Sequence, residues 1–302
     1  MAAGGVGGYY GARMAAAGHD VVFFARGAHR DAMRKNGLKI ESVLGDLHVK
    51  SVNVTDDPST AAPVDIVLFA VKLWDTENAA AQIKPVVAER TLVITLQNGV
   101  DSVERLAPVL GADRVIGGMT VIATVIKEPG AISHTSQLAQ VRCGRLDNKP
   151  DAKLAEFIAA AKAAGIDIAQ SEDTWRDIWF KFVSLVALSG STTMMRSTLG
   201  PILADPDTGA MFREILLECT EVARKSGVDF GNGFVDERFT FMKTMPYGMK
   251  ASMLHDLERG NRLELDWLSG RVVTLGKKLG VKTPANDAVY AALKLHRMGA
   301  RQ

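Results

Sequence analysis

The chain has 302 residues, of which 47% are hydrophobic, so two packed domains are expected and intrinsic disorder is excluded. The formal net charge is +2 without a basic run, which argues against partners such as nucleic acid or a membrane surface. Cys143 and Cys219 lie too far apart for metal-ligand or redox spacing, so we expect no metal. No signal peptide is recognisable, and we expect a cytoplasmic protein.

The first feature along the chain is a glycine-rich run, Gly4-Gly5-Val6-Gly7-Gly8, followed by a helix-like stretch ending at Gly18. In a dinucleotide-binding fingerprint, Gly4 and Gly7 take the second and third glycine positions, and Ala2 takes the first. We expect Gly4, Gly5, Val6 and Gly7 to bind a pyrophosphate at the helix N-terminus. The alternative is a flexible, tag-like tail.

The strand that should precede this loop is missing, so the expected sheet has a truncated first strand. Because that strand is central in a doubly wound sheet, its absence would leave neighbouring strands without ladder partners. We therefore expect that Met1 is an internal methionine or that the chain has been trimmed.

The next strand, 20–26, ends in Arg26 and sets the expected cofactor. An acidic residue there would favour NAD by accepting from the ribose hydroxyl, whereas an arginine suits a 2′-phosphate. No acid occurs before Asp31, so the sequence favours NADPH over NADH. Alternatively, Arg26 is a solvated loop charge.

Strands and helices alternate in the first half, and helical patterns dominate from about Glu172. We predict a Rossmann-type α/β NADP-binding domain at 1–171 and an all-α substrate and catalytic domain at 172–302. The further predicted strands are 39–43, 48–52, 65–71, 91–96, 114–125 and one after the turn at 128–130. The predicted helices of the second domain are 173–188, 207–226, 232–244, 249–279 and 285–298.

Two polar residues follow predicted parallel strands, where ligands of such sheets bind. Lys72 comes directly after strand 65–71 and could hold a cofactor phosphate or a substrate carboxylate. Asn98 follows strand 91–96 and could reach a nicotinamide or a reacting oxygen. The alternatives are a surface lysine and, since Asn98-Gly99 is a strong turn signal, a simple turn.

Lys181 borders an apolar helix face formed by Ile178, Phe182, Leu185 and Ser189. Burial would lower the pKa of this lysine and suit it to donate a proton. The alternative is a lysine whose charged end reaches water. The stretch 178–195 contains one charge but many hydroxyls, so a core helix fits better than a membrane span.

Ser252 and Asp256 share a helix face, and Glu264 would lie within about 80° of Asp256 on that wheel if the helix continued past Gly260. Ser252 could bind a carboxylate, and Glu264 could bind a hydroxyl or pair with a lysine. The alternative is a solvated polar face.

Taken in order, these motifs resemble the ketopantoate reductase (2-dehydropantoate 2-reductase) family over nearly the whole chain. The resemblance is carried by residues 4–8, Arg26, Lys72, 96–99, 179–181, 252–256 and Glu264. It implies NADPH-dependent reduction of ketopantoate to pantoate in pantothenate biosynthesis.

The resemblance also implies residue roles. Gly4 and Gly7 would hold the pyrophosphate, Arg26 and Lys72 the 2′-phosphate region, and Asn98 would position the nicotinamide and the catalytic lysine. Lys181 would be the general acid. Glu264 would bind the same oxygen or the substrate hydroxyl, Ser252 the substrate carboxylate, and Asp256 would belong to the substrate site.

Three positions depart from the family pattern. Leu185 and Ser189 stand where the family usually carries asparagines, and Ser269 replaces an asparagine before Gly270. These departures suggest an alternative, a reductase of a different 2-keto acid with a more apolar side chain. Ala2 and the missing first strand suggest another, a non-catalytic NADP-binding paralogue. Apolar helix faces would allow a homodimer without requiring one.

Overall fold

The computed structural model describes residues 3–300, so Met1 and Ala2, the residue at the first glycine position, lie outside the described residues. The chain divides into two compact units, one up to Ile178 and one from Trp179. This boundary falls within a single long helix, Thr174–Met195. The predicted change of character near residue 172 lies close to the start of this helix.

The first unit alternates strands and helices, as the sequence predicts for a Rossmann-type domain. Its helices are α1 (Gly5–Ala16), α2 (Gly27–Asn36), α3 (Thr76–Ile83), α4 (Ser102–Leu110) and α5 (Ala152–Ala163). Its strands are β1 (Val22–Phe24), β2 (Leu38–Ser42), β3 (Leu47–Val49), β4 (Asn53–Thr55), β5 (Val64–Phe69), β6 (Val87–Thr95), β7 (Val115–Glu128), β8 (Ala131–Gly144) and β9 (Asp167–Gln170).

The main sheet runs in the order β3-β2-β8-β7-β6-β5, and β9 also pairs with β8. The pairs β5–β6 and β6–β7 are parallel, and the long β7–β8 pair is antiparallel. Strands β1 and β4 form a separate parallel pair. The sheet is therefore mostly parallel near the predicted ligand-binding strand ends, with an antiparallel hairpin added.

Apolar side chains on opposite faces of β6 build two cores. Ile94 joins a core that contains buried residues of α1 and α5, whereas Val93 joins one that contains buried residues of α3 and α4. Neighbouring strand residues point to opposite faces, so a continuous apolar run is expected for a strand covered on both sides. This doubly covered sheet confirms the predicted α/β class.

In the described part of the chain, no strand precedes α1. Ala3 lies just before the helix, and its N–H donates to the carbonyl of Phe24 at 2.8 Å. The chain that enters α1 therefore runs beside the end of β1. This contact fixes the start of α1 against the strand that precedes Arg26.

The regular elements of the second unit are helical throughout its described residues. They are α6 (Thr174–Met195, shared with the first unit), α7 (Leu199–Ala204), α8 (Pro206–Lys225), α9 (Phe234–Met242), α10 (Ser252–Glu258), α11 (Ser269–Leu279) and α12 (Pro284–Leu293). By length and composition α6 could cross a membrane, but 67% of its most apolar window is buried inside the structure. Such burial fits a core helix.

The prediction of one helix over 249–279 is wrong. Gly260 adopts φ +67°, which is outside the right-handed helical region, and α10 ends before it. Glu264 then precedes a short 3-10 helix at Leu265–Trp267. The predicted helical-wheel relation of Glu264 to Ser252 and Asp256 therefore does not exist, since these residues belong to separate elements.

A buried carboxylate joins two helices of the second unit. Glu218 of α8 accepts hydrogen bonds from the backbone N–H groups of Ala285 and Asn286, at 2.6 and 2.9 Å, and from the Asn286 amide at 2.7 Å. Burial raises the pKa of Glu218, and these hydrogen bonds oppose the shift. The carboxylate supplies acceptors for the otherwise unpaired first N–H groups of α12.

Candidate active site

The predicted pyrophosphate loop forms the N-terminus of a helix. Gly4 is the residue before α1, and Gly5, Val6 and Gly7 form its first turn. The Gly4 position has no side-chain cap, so the first N–H groups of the helix retain donor capacity for an anion. A Cβ on Gly4 would meet no atom within 4 Å, which leaves open space for a ligand.

The neighbouring glycines have a packing role that the sequence did not reveal. A Cβ on Gly5 would lie 2.9 Å from the carbonyl oxygen of Thr124, and one on Gly8 would overlap the Ile132 side chain. Both contacts are shorter than real Cβ atoms accept. The absence of side chains thus lets α1 pack closely on β7 and β8.

Arg26 lies at the start of α2, directly after β1, and its side chain is 59% exposed. It donates to the Gln82 side chain at 2.8 Å and lies 3.5 Å from the Asp75 carboxylate. Exposed ion pairs of this kind contribute little free energy. The guanidinium could therefore exchange these partners for a phosphate.

Lys72 lies just beyond the end of β5, as predicted, and begins a short 3-10 helix. Its side chain is exposed, with Nζ 5.6 Å from the centre of the Trp74 ring. Since Asp75 belongs to the same turn and contacts Arg26, the structure brings the Lys72 and Arg26 segments together. The two predicted phosphate-binding cations thus belong to one region of the first unit.

Asn98 follows β6 in a partly buried turn, and Gly99 adopts φ +99°. Asn98-Gly99 therefore forms the predicted turn, and this turn is compatible with the predicted contact of Asn98 to a ligand. Its neighbour Gln97 is buried and donates to the Val71 carbonyl at 3.0 Å and to the Thr76 hydroxyl at 2.9 Å. Gln97 thereby ties the end of β6 to the segment that carries Lys72.

No role for Gln97 was predicted from the sequence. A glutamine between an apolar strand and an Asn-Gly turn was a usable signal, because a buried amide must find partners on neighbouring strand ends. Those partners, however, are distant in sequence and become visible only in the fold.

Lys181 and Glu264 are brought together in the second unit. Lys181 is half-buried on α6, and burial lowers its pKa to about 8, while the charge of Glu264 opposes the shift. Glu264 is itself buried, with 4% of its surface exposed. A lysine beside a carboxylate in this environment can exchange a proton close to neutral pH.

Ser252 is the first residue of α10 and is exposed, so its hydroxyl can reach a ligand from solvent. Asp256 lies one turn later, is half-buried, and accepts from the Asn261 amide at 3.3 Å. This contact holds the end of α10 as the chain leaves it. Asp256 therefore has a local structural partner in Asn261.

Two of the three departures from the family pattern occupy the same helix as Lys181. Leu185 and Ser189 follow Lys181 by four and eight residues on one face of α6. Leu185 is half-buried, whereas Ser189 is buried and its hydroxyl has no hydrogen-bond partner among the described residues. The Ser269 hydroxyl is also buried without a partner, and a Cβ on Gly190 would lie 3.3 Å from it.

Comparison with known families covers both units. The description "Ketopantoate reductase PanE/ApbA" matches residues 2–148, and its C-terminal counterpart matches residues 173–297. The chain belongs to the ketopantoate reductase family. This family comprises NAD(P)-dependent oxidoreductases.

Individual relatives span the whole chain. The 2-dehydropantoate 2-reductase of Mesorhizobium japonicum is 30% identical, covering 97% of this chain and 95% of its own. An uncharacterized oxidoreductase of Bacillus subtilis is 29% identical, covering 98% and 97%. The similarity thus extends over nearly the whole length of both relatives.

Solved structures of family members have the same fold as this chain. The 2-dehydropantoate 2-reductase of Geobacter metallireducens superposes with a TM-score of 0.92 at 30% identity, covering 98% of each chain. The Ralstonia eutropha family member has a TM-score of 0.90 at 33% identity, covering 98% and 97%. A D-mandelate dehydrogenase solved with NADH reaches 0.89 at 19% identity, covering 98% and 96%, which shows a shared fold.

Proposed function

We propose that the protein reduces 2-dehydropantoate to pantoate with NADPH, using Lys181 as the general acid, as a cytoplasmic step of pantothenate biosynthesis. The observation that carries the proposal is the half-buried Lys181, with a pKa of about 8, beside the buried Glu264 in a chain of this family. Neither a surface lysine nor an isolated carboxylate would be suited to donate a proton near neutral pH.

The residues of the first unit fit a nicotinamide dinucleotide. Open space beside Gly4 and the donor groups of the first turn of α1 suit a pyrophosphate. Arg26 and Lys72 supply positive charge for an additional 2′-phosphate, which favours NADPH over NADH. Asn98 offers an amide for the nicotinamide or for the reacting oxygen. Bound NADPH would supply the hydride.

The protein's own part in the reaction is to bind and protonate the substrate. Negative charge develops on the ketone oxygen as the carbonyl carbon is reduced, and the Lys181 ammonium stabilises that charge and then donates its proton to the oxygen. Glu264 holds the ammonium or a substrate hydroxyl, and the exposed Ser252 hydroxyl binds the substrate carboxylate. The small 2-keto acid is thereby held with its carbonyl at Lys181.

The decisive experiment is the change Lys181→Ala, assayed by NADPH oxidation with ketopantoate. Loss of the general acid should lower kcat by about 10²- to 10⁴-fold. NADPH affinity, measured by fluorescence titration, should stay unchanged. The residues proposed to bind NADPH belong to the first unit, whereas Lys181 belongs to the second.

Lys225→Ala, which removes an exposed lysine at the end of α8, is the matched control. Normal turnover by Lys181→Ala would exclude the proposed acid. A wild-type protein that bound NADPH but reduced no 2-keto acid would instead favour a non-catalytic paralogue. Parallel assays with NADH would test the cofactor preference.

A second candidate is the same reaction on a different 2-keto acid. Leu185 lies one helical turn from Lys181 and presents an apolar side chain where a polar hydroxy-keto acid would need a donor. A missing hydrogen bond to a charged partner costs about 1.5–3 kcal/mol, so ketopantoate would bind weakly.

The substrate can be tested with Leu185→Asn and a panel of 2-keto acids. If the apolar wall selects substrate, this change should raise kcat/KM for ketopantoate about tenfold and lower it for 2-keto acids with branched alkyl chains. Leu217→Asn, at an exposed position of α8, is the control. Unchanged ratios between substrates would show that Leu185 does not select them.

A further inference from the structure

A cleft in the first unit lies away from the residues assigned to the cofactor. It has a volume of about 210 Å³. It lies between the second half of α1, the turn after β2, the middle of β8 and the start of β9. Its lining residues are Tyr9, Arg13, Leu44, 137–140 and 165–167.

The cation of this cleft is Arg13, in the last turn of α1. Its guanidinium carbon lies 5.0 Å from the centre of the Tyr9 ring, and Nη2 makes a long 3.5 Å contact with the Gly45 carbonyl. Its Nε is buried without a hydrogen-bond partner within residues 3–300. This donor gains no acceptor from the protein, and the guanidinium charge can be met by a carboxylate that binds the terminal Nη atoms.

The acidic residue of the cleft does not neutralise Arg13. Asp167 is bonded at 3.1 Å to a different arginine, Arg142, on the adjacent strand. Across the described part of the chain, the structure shows no ion pair between Arg13 and an acidic side chain. The positive charge of Arg13 in the cleft is therefore not paired with a carboxylate among the described residues.

The opposite wall is shaped by an irregularity in the β7–β8 pair. Ile122 pairs with Ala139 and Thr124 with His134, so the single residue Ala123 faces four residues of β8, 135–138. The bulged segment 135–138 is held by two hydrogen bonds. The Ala123 N–H donates to the Ser136 hydroxyl, and that hydroxyl donates to the Leu138 carbonyl. Such bulges redirect side chains, and this one directs Gln137 and Leu138 into the cleft.

We propose that this cleft is a second ligand site, which binds a small organic monocarboxylate with a short aliphatic chain. The carboxylate pairs with the Arg13 fork above the Tyr9 ring. The amides of Gln137 and Gln140 lie beside it, and the aliphatic part packs on Leu44, Leu138 and Ile166. One cation with apolar walls suits a single carboxylate better than a doubly charged phosphate.

The test is calorimetric titration of the full chain with 3-methylbutanoate. The wild type should show a site whose affinity falls at least about tenfold in Arg13→Gln, with Arg13→Lys between the two. Arg90→Gln, at an exposed position of β6, is the matched control and should bind as the wild type does. Binding that persists in Arg13→Gln belongs to another site, such as the one that takes the keto acid.

Two comparison ligands complete the experiment. Uncharged 3-methylbutanol and inorganic phosphate should both bind much more weakly than 3-methylbutanoate. Equal isotherms for the wild type and Arg13→Gln, or equal affinity for the alcohol or for phosphate, would overturn the proposal. Thermal unfolding of each variant, followed by circular dichroism, shows whether it is folded, and Arg13→Lys keeps the test valid if Arg13→Gln is not.

Discussion

At the scale of single residues, the chemistry depends on how the fold changes the properties of Lys181. In sequence it is one lysine beside Trp179 and Phe180, and its position alone slightly favours a side chain whose charged end reaches water. The structure leaves it half-buried near Glu264, and burial lowers its pKa to about 8. The residue type was visible from the sequence, but the acidity that makes it useful was not.

This shift predicts the pH dependence of the reaction. A general acid must be protonated, so kcat for ketone reduction should be constant below about pH 8 and fall about tenfold per unit above it. In the oxidation direction the same group acts as a base, and the rate should rise across that range. Initial rates at saturating substrate from pH 6 to about 10 would measure this.

Lys181→Arg is the control for the pH profile, because arginine stays protonated throughout that range. This variant should be slower but lack the alkaline decline. A decline that persisted unchanged in the arginine variant would assign the titrating group to another residue.

At the scale of elements, α1 combines two tasks within one turn. Gly4 faces open space, whereas Gly5 packs against the backbone of Thr124. The glycine spacing predicted a pyrophosphate-binding turn, but it did not distinguish a glycine needed for the ligand from one needed for packing. The distinction depends on β7, which lies more than a hundred residues away.

The two glycines should therefore respond differently to alanine. Gly5→Ala forces a Cβ against backbone atoms and should lower the free energy of unfolding by about 1–3 kcal/mol. Gly4→Ala should leave the stability nearly unchanged and weaken NADPH binding. Urea unfolding and fluorescence titration of both variants would measure these effects, and equal loss of stability in the two would contradict the packing argument.

The helical elements show the limits of periodicity. Apolar spacing located most of the helices, yet it joined α10 and α11 into one. A glycine inside a periodic pattern is tolerated in helices, so its left-handed conformation at Gly260 could not be derived from spacing. Because α10 ends before Gly260, Glu264 lies outside the helix of Ser252. Its charge acts on Lys181 instead.

At the scale of the whole molecule, the proposed cofactor residues all belong to the first unit. Gly4, Arg26, Lys72 and Asn98 precede Ile178, whereas Lys181 and Glu264 follow it. Family membership extends over both units, and the proposed mechanism combines cofactor binding by the first unit with a general acid from the helical unit.

Because NADPH should bind the folded first unit, it should raise the melting temperature. At a concentration of about 100 times its Kd, the cofactor should raise the free energy of unfolding by about 2.7 kcal/mol. Differential scanning calorimetry with NADPH, and with NADH at the same concentration, would measure the shift, which should be smaller for NADH. An equal shift with both cofactors would remove the proposed role of Arg26 in selecting NADPH.

The sequence by itself determined the α/β class followed by helices, the family, and the strand-end positions of Lys72 and Asn98. The class and the strand-end positions follow from local causes: apolar runs, glycine spacing and the rule that parallel strands present their ends to ligands. The family follows from the resemblance of the ordered motifs. The tertiary structure decided the acidity of Lys181, its pairing with Glu264, the Gln97 bridge and the cleft at Arg13. Each of these depends on groups distant in sequence, whose burial and charge act only once the chain has folded.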